Sequence, residues 1–133
     1  MNKVFIMSSL VNLDSYFPDS KSRVTVWYVA ANSTRDFLGM CVNKAQEYAK
    51  LELGVTHIQL CEFFVSKEQS DNTTCEQTFF RMQGENWSPQ GEARDLIASK
   101  GLSHTSFSVG DIIQIDDTFY ASDGFKFIPV EFK

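Results

Sequence analysis

The sequence predicts an α+β fold: a single domain with two helices packed on a mainly antiparallel sheet that ends in a three-stranded meander. Three observations carry this expectation. A segment from Ser88 to Leu102 has helix signals at both ends, and after it come short apolar stretches separated by Gly110-Asp111, Asp116-Asp117 and Asp123-Gly124. In the front half, the β-branched and aromatic run VTVWYVAA at Val24–Ala31 precedes a second helix signature. The chain of 133 residues fits one domain, since about 100 to 200 residues is the usual size.

The helix near the C-terminal third is read from its ends. Ser88 before Pro89 places an N-cap where proline disfavours helical geometry, and proline at the first helical position gives up an N–H that would be orphaned anyway. Ala93, Leu96 and Ile97 form a narrow apolar face, and Lys100 complements the negative C-terminal end. Gly101 supplies a left-handed cap, with Leu102 positioned to pack on Ile97 in a Schellman motif. Beyond it, Phe107 and Val109 alternate with serines as in a half-buried strand. Ile112–Ile115 and Thr118–Ser122 read as further strands, and Asp123-Gly124 as a two-residue hairpin leading to Phe125. Pro129 cannot donate to a ladder, so the last strand is at an edge or bulged there, and the shift of apolar phase between Phe127 and Ile128 favours a bulge.

The front half, residues 1–65, reads as β-α-β. Val4–Met7 is a strand followed by a loop through Pro18 to Ser22. Val24–Ala31 is a central strand covered on both faces. Ser33 and Asp36 form a capping box that opens a helix reaching Leu51, with Phe37, Leu38, Cys41, Ala45, Tyr48 and Ala49 as its buried stripe and Gly54 beyond its end. Val55–Val65 is a strand whose apolar phase changes partway, so it bends or bulges. Spacing alone leaves open a parallel crossover or an antiparallel return. Residues 66–77, SKEQSDNTTCEQ, lack a period and read as an exposed loop, after which Thr78–Met82 opens the 78–133 strand-helix-meander region as a strand.

The wording of NWSPQGEARDLIASKGLSHTSFSVGDII, with the later Gly124-Phe125, resembles a pattern in small proteins of phages, plasmids and integrated mobile elements: NWSPxGEA, then GLSHTSxSVGD, then GF. This chain carries Gln90 where the pattern has Asn and Phe107 where it has Met. The resemblance covers the last third of the chain. It implies a mobile-DNA setting and a short sheet after the helix, and it implies no reaction.

Composition narrows function further. A formal net charge of −5 argues against non-specific binding to nucleic acid or anionic lipid, which needs a positive field. Three cysteines, Cys41, Cys61 and Cys75, without CxxC spacing fit free thiols in a reducing, cytoplasmic setting, and His57 and His104 do not stand at zinc-finger spacing from them. Residues 2–13 lack the cleavage pattern of a signal peptide, and no apolar run approaches the roughly 20 residues of a membrane span. GxGxxG, P-loop and HExxH motifs do not occur, so no cofactor or metal is expected.

Two polar groups invite chemistry. His104, Thr105 and Ser106 with Asp111 contain the residue types of a Ser–His–Asp hydrolase, but no GxSxG elbow surrounds Ser106. The plainer account is that they bond backbone groups where helix meets sheet. Asp111, Asp116, Asp117 and Asp123 fit turn chemistry better than a cation loop. The leading expectation is a non-enzymatic accessory protein that binds a host or element-encoded protein, its contact surface formed by His104, Thr105, Ser106, Asp123 and Trp87. A single-stranded nucleic-acid-binding domain, with Trp87, Tyr120 and Phe125 as stacking platforms, is the alternative. A hydrolase centred on His104 comes third.

Overall fold

The computed structural model describes residues 21–83 and 92–132. The expected Val4–Met7 strand, the Ser88 cap and Trp87 lie outside the described residues. Within them the chain forms strand β1 (Lys21–Val29), a 3₁₀ turn (Ala31–Ser33), short helices α1 (Thr34–Phe37) and α2 (Val42–Ala45), β2 (His57–Ser66), α3 (Asp71–Arg81), α4 (Glu92–Ser99), β3 (Ile112–Ile115), β4 (Thr118–Ser122) and β5 (Phe127–Pro129). The five strands make one sheet in the order β2-β1-β3-β4-β5, every neighbouring pair antiparallel. The α+β class and the C-terminal meander are as the sequence predicts.

β1 is the inner strand that joins the two halves of the sheet. Its even positions Val24, Val26 and Tyr28 enter one core with Leu60, Phe63, Ile113 and Ile115, covered by Cys75, Phe79 and Met82 and by Ala93, Ile97 and Leu102. Trp27 and Val29 enter a second cluster with Phe37, Val42, Ala45 and Leu51. Alternation is hidden in the sequence because apolar side chains are needed on both faces. The front half closes as an antiparallel return. β2 carries the irregularity that its mixed phase implies: Val26 faces Cys61 while Trp27 faces Gln59, leaving Leu60 as an extra residue.

Several expectations fail here. The helix expected over Ser33–Leu51 is broken into single turns. Gly39 sits at φ +86°, and its N–H donates to Val109 O at 2.6 Å, a tertiary bond that replaces continuation of the helix. Ser33 makes no capping bond to the helix; its hydroxyl reaches Asn32 Oδ1 at 3.4 Å. The expected exposed loop 66–77 and the strand Thr78–Met82 are largely one helix, α3, capped by Ser70, whose hydroxyl accepts the Thr73 N–H at 3.1 Å. Cys75, Phe79 and Met82 stand at i, i+4 and i+7 on its inner face, and Thr78 is buried with its hydroxyl donating to Thr74 O at 2.7 Å. Phe107 is buried as expected, but residues 106–109 form only an isolated bridge at Val109 rather than a strand.

The C-terminal end of α4 is as its sequence implies. Leu102 N–H bonds Ile97 O and Gly101 N–H bonds Ala98 O, both at 3.0 Å, around Gly101 at φ +68°. The hairpin after β4 is longer than two residues, because Ser122 pairs with Phe127 and residues 123–126 make the loop. β5 is an edge strand with Pro129 in it, and its pairing with β4 runs without a register shift, so the bulge expected near Ile128 is not formed.

Two glycines with positive φ separate conformational strain from steric contact. A Cβ on Gly101 meets nothing within 4 Å, whereas one on Gly110, at φ +110°, falls 2.2 Å from Phe37 O and 3.0 Å from Phe37 C. Gly101→Ala is therefore expected to lower stability by about 1 kcal/mol, the left-handed penalty alone. Gly110→Ala is expected to lose about 2–4 kcal/mol, because the backbone of α1 must move as well. Chemical denaturation of the two variants measures the difference; equal losses contradict the close packing of Gly110 on α1.

Candidate functional site: a buried histidine–aspartate pair

The polar centre lies at the C-terminal end of β1. β1 pairs with β3 from Val24↔Ile115 to Trp27↔Ile112. Continued, that register would set Val29 opposite Gly110. Gly110 instead turns at φ +110°, and its carbonyl accepts from His57 Nε2 at 2.7 Å. The Val29 N–H is left without a ladder partner, and Asp111 Oδ1 accepts it at 2.8 Å. A side-chain carboxylate thus replaces backbone where the strand pairing stops, as buried backbone donors require.

Asp111 is fully buried and accepts two further donors. Ser108 N–H reaches Oδ2 at 2.8 Å, and His104 Nε2 lies 3.0 and 2.9 Å from the two carboxylate oxygens. Burial pushes the Asp111 carboxyl above its ordinary range, while His104, Val29 and Ser108 pull it back. The carboxylate fixes the His104 tautomer with the proton on Nε2. Tyr28 stacks on the imidazole at 4.5 Å with planes 13° apart, and donates its hydroxyl to Thr105 O at 2.9 Å. Burial, helped by the Asp111 charge, drives the Tyr28 phenol far up, so it remains a donor.

His57 completes the cluster. Nε2 donates to Gly110 O and Nδ1 accepts from Thr56 Oγ1 at 2.9 Å, so both nitrogens of the neutral ring are used. Phe37 packs edge-on against it at 5.1 Å. Burial pulls its pKa down to about 4 despite the Gly110 bond.

The structure thus joins His104 to Asp111 but does not complete a catalytic triad. His104 Nδ1 is buried and has no hydrogen-bond partner, so the hydroxyls of Thr105 and Ser106 are not bonded to it. The side chain of His104 is only 12% exposed. It is packed into the joint between β1 and β3 and is not an open contact residue. Thr105 and Ser106 are half-buried; the Thr105 carbonyl holds Tyr28, and the Ser106 carbonyl accepts Ser108 Oγ at 3.0 Å. Tyr28 and His57 are the members that sequence reasoning missed. Tyr28 is hidden by its place in an apolar strand, and His57 by lying 53 residues from Gly110, whose carbonyl it holds.

Asp123 is elsewhere, in the β4–β5 loop. Its Oδ1 accepts Phe125 N–H at 2.9 Å and Lys126 N–H at 2.8 Å, and the Lys126 and Phe125 bonds hold its carboxyl below the usual range. Beside this loop runs a groove of about 370 Å³ between α3 and β5, lined by Asn72, Glu76, Phe79, Lys126 and Phe127 and edged by Phe125. Phe125 is 100% exposed. Tyr120 does not join it as a platform: its ring packs in the first core and its hydroxyl bonds Asp71 Oδ2 at 2.5 Å.

Cys41, Cys61 and Cys75 form no disulfide, and burial pushes Cys75 up to about 12. No group of three metal-ligating side chains occurs among the described residues, and none of their helices is long and apolar enough to cross a membrane. No protein-family model matches the chain, and no curated protein or solved structure matches it either.

Asp111 and His57 each give a testable prediction. Asp111→Asn keeps the shape but turns an acceptor into an amide donor among three donors. Unfolding in denaturant is expected to show a loss of about 3 kcal/mol; a near-neutral change contradicts the bonding described.

His57 gives the second. Its folded pKa lies below its unfolded value of 6.5, so its contribution is fully present above that value and is lost as pH falls toward about 4. The loss amounts to roughly 3 kcal/mol at about 1.4 kcal/mol per pH unit. Melting temperature is expected to drop across that window, with a shallower slope in His57→Gln. An unchanged slope shows that other groups carry the acid sensitivity.

Proposed function

We propose that the protein is a non-enzymatic accessory protein of phage or mobile-element origin that acts in the cytoplasm by binding another protein through the β4–β5 hairpin. The observation that carries this reading is Phe125, fully exposed at the tip of a loop whose backbone Asp123 holds in place. A solvent-facing aromatic ring on a preorganised turn loses little conformational freedom when it docks, which is the property of an interface anchor. The mobile-element setting rests on the sequence resemblance. The use of Asp111 in holding the sheet together supports the non-enzymatic part, since its carboxylate accepts the backbone N–H groups of Val29 and Ser108 and ties up His104 Nε2.

A photo-crosslinking amino acid in place of Phe125 is expected to capture a discrete protein when the chain is expressed in the cell that carries the element. The same group in place of Tyr48, 79% exposed beyond α2, serves as the control. Equal capture at both positions, or none at Phe125, overturns the hairpin as the contact surface.

A further inference from the structure

The α3–hairpin surface has a feature that a one-sided docking site does not need: it carries a projecting ring and a recess side by side. Phe125 stands at the rim of the groove, whose apolar lining comes from Phe79 and Phe127. Glu76 and Lys126, of opposite sign, line the same groove. Phe80, 72% exposed, extends the patch along α3 past Glu76, which also lines the neighbouring shallow surface with Gln77 and Arg81.

We propose that this surface is a self-association interface, in which Phe125 of each copy enters the groove of the other about a two-fold axis. The proposal rests on the hairpin being the contact surface and names its partner as a second copy of this chain. A two-fold interface uses the same patch on both subunits, so the patch must contain its own complement. Here the apolar projection has an apolar recess beside it, and one negative and one positive side chain, Glu76 and Lys126, line that recess, Glu76 also accepting Asn72 Nδ2. An axis that passes between the two side chains sets Glu76 against the partner's Lys126 and Lys126 against the partner's Glu76. A patch meant for a charged foreign partner would instead carry one dominant sign, with its complement on the other molecule.

The groove is small, so the contact is weak and reversible, at the low end of specific interfaces. Sedimentation velocity of the full chain over a range of concentrations tests the proposal. The wild type is expected to shift from monomer toward dimer as concentration rises, and Phe125→Ser to raise the dissociation constant about tenfold or more.

Charge reversal makes the test specific. Glu76→Lys alone and Lys126→Glu alone are each expected to abolish dimerisation, because each sets like charges against each other twice. An equimolar mixture of the two single variants is expected to dimerise again, since both junctions then join opposite charges. A wild type that stays monomeric at all concentrations, a dimer indifferent to Phe125→Ser, or a mixture that remains monomeric each overturns the proposal. If crosslinks from position 125 reach only a different protein while the chain sediments as a monomer, the self-association is wrong and the hairpin reading stands. If neither occurs, both are wrong.

Discussion

The carboxylate of Asp111 is the constraint on which the rest of the sheet depends. It accepts N–H groups from Val29 and Ser108 and the His104 imidazole, so the end of β1, the turn before β3 and the connection after α4 share one buried acceptor. A buried ionised group is tolerated only when its lone pairs are filled, and here three donors fill them. The joint is reinforced on both sides of the sheet. Tyr28 stacks on His104 over one face, while His57 reaches the Gly110 carbonyl beside Phe37 on the other. Gly110 must be glycine for the same reason: a side chain there would strike the backbone of α1.

Legibility in the sequence followed the locality of the forces. α4 ends where Gly101 and Leu102 put its end, because a Schellman motif is completed within six residues. β3 and β4 have the expected limits because Asp116-Asp117 forms a local turn, with Asp116 at φ +51°. That turn is then tied to β1 by Arg23 N–H to Asp116 Oδ1 at 3.0 Å, a contact that no window of sequence reveals. Of the Ser33–Leu51 stripe, Phe37, Cys41 and Ala45 enter the second core, whereas Tyr48, expected to be buried with them, is 79% exposed. What broke the helix was a bond from Gly39 to Val109, seventy residues away. Tertiary hydrogen bonding outweighed a pattern that propensity alone would have continued.

α3 was hidden for a different reason. Its buried face uses Thr74, Cys75 and Thr78, residues that count as polar or ambiguous when a segment is scanned for apolar periodicity. Once Thr78 donates to the carbonyl four residues back, only its methyl is left to pack, and it behaves as a small apolar side chain. The readable signals were Ser70 as a cap and Cys75, Phe79 and Met82 at helical spacing. The candidate site was half legible in the same way. His104 and Asp111 are seven residues apart and were grouped correctly, but whether such a pair faces water or backbone is decided by Tyr28 and β1, which arrive from the far end of the chain.

The two polar turns rich in aspartate show how one residue type serves opposite ends. Asp111 lies inside and gives its acceptors to the N–H groups of Val29 at the end of β1 and Ser108 in the connection before β3. Asp123 lies outside and spends its acceptors on the N–H groups of Phe125 and Lys126, within its own loop. The first arrangement fastens distant elements and leaves no side chain projecting. The second fastens nothing beyond the hairpin, yet it fixes the backbone under a ring that is wholly in solvent. A lone exposed apolar residue is ordinary on a protein surface. A phenylalanine held out on a locally braced turn, beside an apolar recess containing both signs of charge, has the geometry of a contact surface. The buried joint thus stands at one end of β1 and the accessible ring at the β4–β5 tip, where the proposed contact would form.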